Sequence, residues 1–140
     1  MRRTSPRPVT DRAGRTLCRV SWIYHIATRA DWEQARRDGE YTTSTAGRTL
    51  TDEGFIHASQ AAQVAGVANM FYRDSADDLV VLVIDTGLVR APVRDEDVPG
   101  AAAPFPHIYG PLNTDAVVDV RPLPAGPGGE FTFTPGHMPQ

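Results

Sequence analysis

Leu79-Val80-Val81-Leu82-Val83-Ile84 is the stretch on which the fold turns. It is continuously apolar, short for a buried helix and rich in β-branched side chains, so it predicts a central strand covered on both faces. Working upstream, Val20-Ser21-Trp22-Ile23-Tyr24-His25-Ile26 is a second β-rich run, with Trp22, Tyr24 and Ile26 on one face and Ile23 and His25 on the other. Between the two, Gly54-Phe55-Ile56-His57-Ala58-Ser59 reads as a strand that ends in a helix cap. Downstream lie the short segment Phe105-Pro106-His107-Ile108-Tyr109-Gly110 and the strands Val117–Val120 and Phe131–Phe133, the last two separated by the proline-glycine region 122–129.

Two helices fit between these strands. Thr28 and Asp31 have capping-box spacing, Trp32 and Ala35 share a face, and Gly39 suits a C′ position, which predicts a helix over 29–38. After Ser59, whose hydroxyl suits an N-cap, Ala61, Val64, Ala65, Ala68 and Phe71 recur at helical spacing over about three turns. Residues 42–53 are polar and unpatterned and predict a loop placed to act as a lid. Residues 90–104, with Arg94-Asp95-Glu96-Asp97 and three prolines, predict a solvated connection. There is no internal repeat. The expectation is an α+β domain with two short helices in its N-terminal half.

With 140 residues, 41% of them hydrophobic, the chain supports one domain with one core. No apolar run approaches a membrane span and no signal peptide is apparent, so a cytoplasmic protein is expected. A lone Cys18 excludes an internal disulfide framework and a thiolate metal site. Residues 1–19 carry six arginines and one acid, whereas the body is acidic. The segment has no periodicity and no aromatic residue, so a disordered tail over 1–19, a domain over 20–134 and a disordered tail over 135–140 are expected. An RNA contact by the basic tail is the alternative, and the negative body argues against a broad nucleic-acid interface.

Three of the four histidines, His25, His57 and His107, sit on comparable short apolar strands. Phe55, His57 and Ser59 alternate onto one face of their strand, and Phe105, His107 and Tyr109 do so on theirs. Rings, imidazoles and a hydroxyl in alternation suit a planar ligand such as a nucleotide. No G-x-G-x-x-G, Walker loop or nucleophile elbow is present, which disfavours Rossmann, P-loop and elbow-type hydrolase chemistry. Duller readings stand beside these: His25 as a hydrogen-bonded structural histidine, Ser59 as a cap only, His107 in a loop, and Tyr24, Phe55 and Phe105 as core. A zinc ion on His25, His57 and His107 is a further reading, against which no short-spaced ligand pair exists.

The order Ile23-Tyr24-His25-Ile26, then Trp32 and Gly39-x-Tyr41, then Glu53-Gly54-Phe55-Ile56-His57-Ala58-Ser59, then Leu79 to Asp85, then Phe105 to Leu112, resembles the bacterial family known as domain of unknown function 952. The resemblance spans about residues 22–122. Some members carry a glutathione S-transferase label, which this chain is too short to justify. That family is similar in fold to ADP-ribosyltransferases, and its two-histidine pattern looks most like that of the RNA 2′-phosphotransferases. The resemblance implies a single ADP-ribosyltransferase-like split β-sheet domain and an enzyme that uses NAD as co-substrate, passing ADP-ribose to a small-molecule, phosphate or nucleic-acid acceptor.

The resemblance makes His25 the residue that holds the adenosine ribose of NAD and puts His57 where other members of the superfamily carry a tyrosine that packs on nicotinamide. The third-strand glutamate of related enzymes has no clear match, the corresponding region being around Phe105 to Tyr109. His57 and His107 are therefore the candidate catalytic residues, and His25, His57, Ser59 and Tyr109 the candidate cofactor contacts, with no metal assigned. A non-catalytic nucleotide-sensing module that uses the same cleft is the alternative reading, and metal-dependent hydrolysis through the histidines a third.

Overall fold

The computed structural model describes residues 9–10, 16–17, 22–44, 48–73, 75 and 78–134. In chain order the elements are β1 (Val9–Thr10), β2 (Thr16–Leu17), β3 (Trp22–Thr28), α1 (Arg29–Asp38), β4 (Glu40–Tyr41), α2 (Leu50–Glu53) and β5 (Ile56–His57). A 3₁₀ turn (Ala61–Gln63) leads into α3 (Val64–Phe71), and β6 (Leu79–Asp85), β7 (Val93–Glu96), β8 (Phe105–Ile108), β9 (Leu112–Asn113) and β10 (Val117–Pro122) complete the set. β1 and β2 form a two-residue antiparallel ladder. The rest of the arginine-rich segment and residues 135–140 lie outside the described residues, and so do the expectations of disordered tails and of an RNA-binding arm.

β6 is the middle of an antiparallel sheet, paired to β10 on one edge and to β3 on the other. Its side chains alternate between two cores. Val80, Leu82 and Ile84 pack with Ile23, Ala27, Trp32, Tyr41, Ile56, Ile108 and Leu112, whereas Leu79, Val81 and Val83 pack with Tyr24, Ile26, Val64, Val67, Tyr72 and Phe131. Double coverage explains the unbroken apolar run, since a strand with one wet face would alternate. Each fully buried Leu, Ile or Val contributes about 1.5–3 kcal/mol, so the buried side chains of this strand are a large share of what holds the two cores to one sheet.

α1 keeps the predicted bounds for the predicted reasons. Thr28 Oγ1 accepts from the Asp31 N–H at 3.1 Å, and Gly39, at φ +83°, ends the helix in the left-handed region that glycine adopts without strain. α3 starts later than expected: the Gln60 N–H donates to Gln63 Oε1 at 2.8 Å, so Gln60, and not Ser59, begins the helical segment through the 3₁₀ turn. Three other expectations change. Residues 42–53 contain α2, closed by a reciprocal Thr49/Asp52 capping box. The connection 90–104 contains β7, an edge strand whose outward charges mask its pairing with β8. Phe131–Phe133 is not a strand; both main-chain groups of Phe131 are instead taken by the Asn69 side chain, at 2.8 and 3.1 Å.

The second three-stranded sheet has the order β5-β8-β7, also antiparallel. It meets the first at one isolated bridge, Tyr24 with Ser59, where each N–H donates to the other's carbonyl at 2.8 and 2.7 Å. The result is a mixed α+β fold with few helices and antiparallel sheets. Among the described residues no helix is long and apolar enough to cross a membrane.

Candidate active site

β5 and β8 place His57 and His107 directly opposite each other. On the far side of β8, Arg94 lies opposite His107 and Glu96 opposite Phe105, so Glu96 is the diagonal neighbour of His107 and within reach of its ring. The side chains complete a chain of contacts: His107 Nδ1 lies 2.8 Å from Glu96 Oε1, and His107 Nε2 lies 3.2 Å from His57 Nδ1. The Tyr109 hydroxyl donates to the same Glu96 oxygen.

Proton positions follow from the partners. Hydrogen bonds from Tyr109 and then from His107 hold the Glu96 carboxyl below its usual range, so it is an acceptor only. His107 Nδ1 therefore carries the proton it donates to Glu96, and in the neutral ring Nε2 accepts from His57 Nδ1–H. That leaves His57 Nε2 with a lone pair and no partner among the described residues. Burial, and then repulsion from His107, lower the His57 pKa to about 4, which keeps this ring neutral at physiological pH. The hydrogen bond to Glu96 raises the pKa of Tyr109, which stays a donor. A proton taken up at His57 Nε2 has a path to His107, where Glu96 stabilises the charge.

Rings enclose this relay. Phe55 stacks on His107 with centroids 4.1 Å apart and planes 20° apart, and Phe105 lies 4.9 Å from the His57 ring. Phe55, His57, Phe105 and Tyr109 are all half-buried, and the Arg94 guanidinium rests 5.4 Å above the Tyr109 ring. The surface is thus aromatic with one exposed cation at its rim.

His25 is placed differently. It is buried, with Nδ1–H donating to the His57 carbonyl at 2.6 Å and Nε2 accepting from the Tyr41 hydroxyl at 3.0 Å. Burial lowers its pKa to about 4, so the ring is neutral and its nitrogens are both engaged. His25, His57 and Ser59 do share one partly open pocket with Ile26, Val67 and Tyr72, but its free space is about 10 Å³, room for one water. A small-molecule site is typically some 300 Å³ or more, so a nucleotide does not fit within this pocket as it stands. Tyr109 meets His107 at Glu96 instead. Among the described residues no group of three His, Cys, Asp or Glu is arranged to hold a metal ion.

The sequence reading missed Glu96, Tyr41 and Ser44, whose hydroxyl accepts from the His57 N–H at 3.2 Å. Tyr41 stood in a recognised motif without a role, whereas Glu96 was hidden in a run of charges on an unrecognised strand.

Residues 26–120 match the family described as protein of unknown function (DUF952). The chain belongs to the DUF952 family. Among curated proteins none matches it. Among solved structures, this DUF952 protein is similar to protein CC0527 from Caulobacter crescentus. The crystal structure of CC0527 is 29% identical, with a TM-score of 0.69 over 80% of this chain and 94% of that one. The solution NMR structure of the same Caulobacter protein gives a TM-score of 0.62 at 29% identity over 78% and 90% of the two chains.

Proposed function

We propose that this DUF952 protein binds NAD or a related nucleotide and transfers its ADP-ribosyl group to an acceptor, with His57 as general base. The observation that carries the reading is the ordered contact Glu96–His107–His57, at 2.8 and 3.2 Å, which ends in a ring nitrogen without a partner among the described residues. Support for a nucleotide comes from the half-buried rings of Phe55, Phe105 and Tyr109, on which a base or nicotinamide would stack, and from Arg94 at their rim for a phosphate. Two three-stranded sheets that meet at one bridge are compatible with the split sheet of the ADP-ribosyltransferases.

The chemistry suits a base that is neutral at pH 7. When the bond between C1′ and the nicotinamide nitrogen breaks, the electron pair leaves with the ring and cancels its cationic charge, so the leaving group needs no acid. The acceptor's O–H must lose a proton as the new C1′–O bond forms, and His57 Nε2 takes it. Glu96, across from Phe105, fills the role left open by the missing third-strand glutamate: Oε1 serves His107 and Tyr109, and Oε2 is without a partner among the described residues. His25 enters as the group that holds the His57 strand. A ribose contact to its ring would have to displace Tyr41 or the His57 carbonyl.

Calorimetric titration with NAD, ADP-ribose and NADP, combined with chromatography for released nicotinamide, tests the reading. Binding with release is the expected result. Binding without release would turn the protein into a nucleotide-sensing module, and no binding of any of the three would overturn the proposal.

A further inference from the structure

Residues 42–53 read as a lid in the sequence, and no step of the proposed reaction uses them. Their first part is a hairpin: Thr43 bridges Thr49, the Ser44 N–H donates to the Arg48 carbonyl and the Leu50 N–H to that of Thr42. The hairpin sets the hydroxyl of Ser44, a residue 1% exposed, against the main chain of His57.

The register of β5 explains why His57 needs such a partner. The Ala58 N–H donates to the Pro106 carbonyl at 3.0 Å, so Ala58 and Pro106 occupy a hydrogen-bonded pair and the neighbouring pair, His57 with His107, is a non-hydrogen-bonded one. Side chains approach most closely across such a pair, which brings the two imidazoles within reach. The same geometry turns the N–H and C=O of His57 away from β8, toward an edge of β5 that has no strand among the described residues. Two side chains stand in for that strand. Ser44 Oγ takes the N–H at 3.2 Å, and the His25 ring, fixed by the Tyr41 hydroxyl at 3.0 Å, donates to the C=O at 2.6 Å. His107 has no such need, because β8 lies between β5 and β7.

We infer that Ser44 is a positioning residue for the general base: its hydroxyl replaces a strand partner and sets the His57 main chain so that the ring's Nδ1–H meets His107 Nε2. The inference rests on the role proposed above for His57 and adds the residue that holds it in place. Without the Ser44 bond this edge of β5 is held at His57 by His25 alone, and the 3.2 Å ring contact loosens. The neutral His57 ring then loses the partner that fixes its proton on Nδ1, and Nε2 no longer presents a lone pair in every molecule. Ser44 acts through the His57 main chain and not on the reacting atoms.

Nitrogen-15 NMR of the imidazoles in the full-length chain reads the tautomer directly and needs no ligand. At neutral pH the unaltered protein should show His57 in the Nδ1–H form. Ser44→Ala should shift it toward the Nε2–H form while the β6 amides exchange as slowly as before. With NAD, kcat of this variant should fall at least about tenfold and KM change less than about twofold. Ser44→Cys, close in shape and a weak acceptor, should shift the tautomer in the same direction and decides if Ser44→Ala does not fold. A His57 ring that keeps the Nδ1–H form in a folded variant, or a shifted tautomer with undiminished kcat, would overturn the inference. A shifted tautomer in a protein that neither binds nor cleaves NAD would leave Ser44 as the holder of His57 and remove the proposed transfer instead.

Discussion

His25 Nδ1 reaches the main-chain carbonyl of His57 at 2.6 Å, on the strand segment next to the Tyr24–Ser59 bridge that joins the two sheets. An imidazole, not a backbone amide, thus carries the contact between β3 and β5 beyond that bridge. It does so only while neutral on Nε2, because that nitrogen accepts from Tyr41.

This sets a pH dependence. The folded His25 pKa is lowered from 6.5 to about 4, so between those values the unfolded chain binds a proton that the native protein does not. Stability is therefore full above pH 6.5 and falls as pH drops toward 4, by roughly 3 kcal/mol for a shift of this size. Thermal melts from pH 8 to 4 check it. His57, also lowered to about 4, adds to the slope in the same window, so a His25→Gln variant should lose about half of it, and an unchanged slope would remove His25 as a source.

Tyr41→Phe removes the partner of a buried ring nitrogen while preserving the ring that packs edge-on against His25 at 5.1 Å. The expected cost is about 1–3 kcal/mol in urea unfolding, the penalty for an unsatisfied buried acceptor. A cost near zero would mean that the Tyr41 hydroxyl is not what satisfies His25.

His57→Ala separates function from folding. Its main-chain bonds to Ser44 and His25 survive the substitution and its side chain is only half-buried, so stability should fall by about 1 kcal/mol or less. Activity should fall by about 10²-fold or more, the usual contribution of a general base. Loss of fold with full activity in the remaining native fraction would make His57 a core residue.

Glu96→Gln keeps the shape and removes the charge. In this variant kcat should fall about tenfold or more, since His107 Nδ1 loses its carboxylate acceptor. An unchanged kcat in the folded variant would break the relay.

Asn69→Ala should release the C-terminal segment, since both main-chain bonds of Phe131 depend on that one amide. Hydrogen exchange at the Phe131 amide should accelerate strongly, with the β6 amides unaffected.

The elements legible in the sequence are those whose signals are local. Thr28 and Gly39 bound α1 by capping chemistry, and Leu79–Ile84 announces a strand covered on both faces because nothing polar interrupts it. β7 was not legible for the opposite reason: Val93-Arg94-Asp95-Glu96 has one apolar residue in four, as an edge strand does, and reads as a solvated loop. Missing β7 meant missing Glu96, which no spacing rule ties to a histidine eleven positions later. Alternation put His107 and Tyr109 on one face of their strand and His57 on a face of its own, but that His57 lies opposite His107, and which ring nitrogen faces which partner, depends on strand register, which is set by contacts distant in sequence. The role of Ser59 was misread because serine leads at N-caps in general, whereas here Gln60 and Gln63 close the turn.

The outermost strand of the second sheet carries Arg94, Asp95 and Glu96 along an edge that has no further strand among the described residues. An open edge is a template on which a second chain can add itself, and mixed charges of this kind discourage such growth into aggregates. The glutamate of the candidate relay is thus also one of the charges that line this open edge. A Glu96→Val substitution, chosen only to silence the site, should leave the chain prone to edge-to-edge association at high concentration, where Glu96→Gln would do so less.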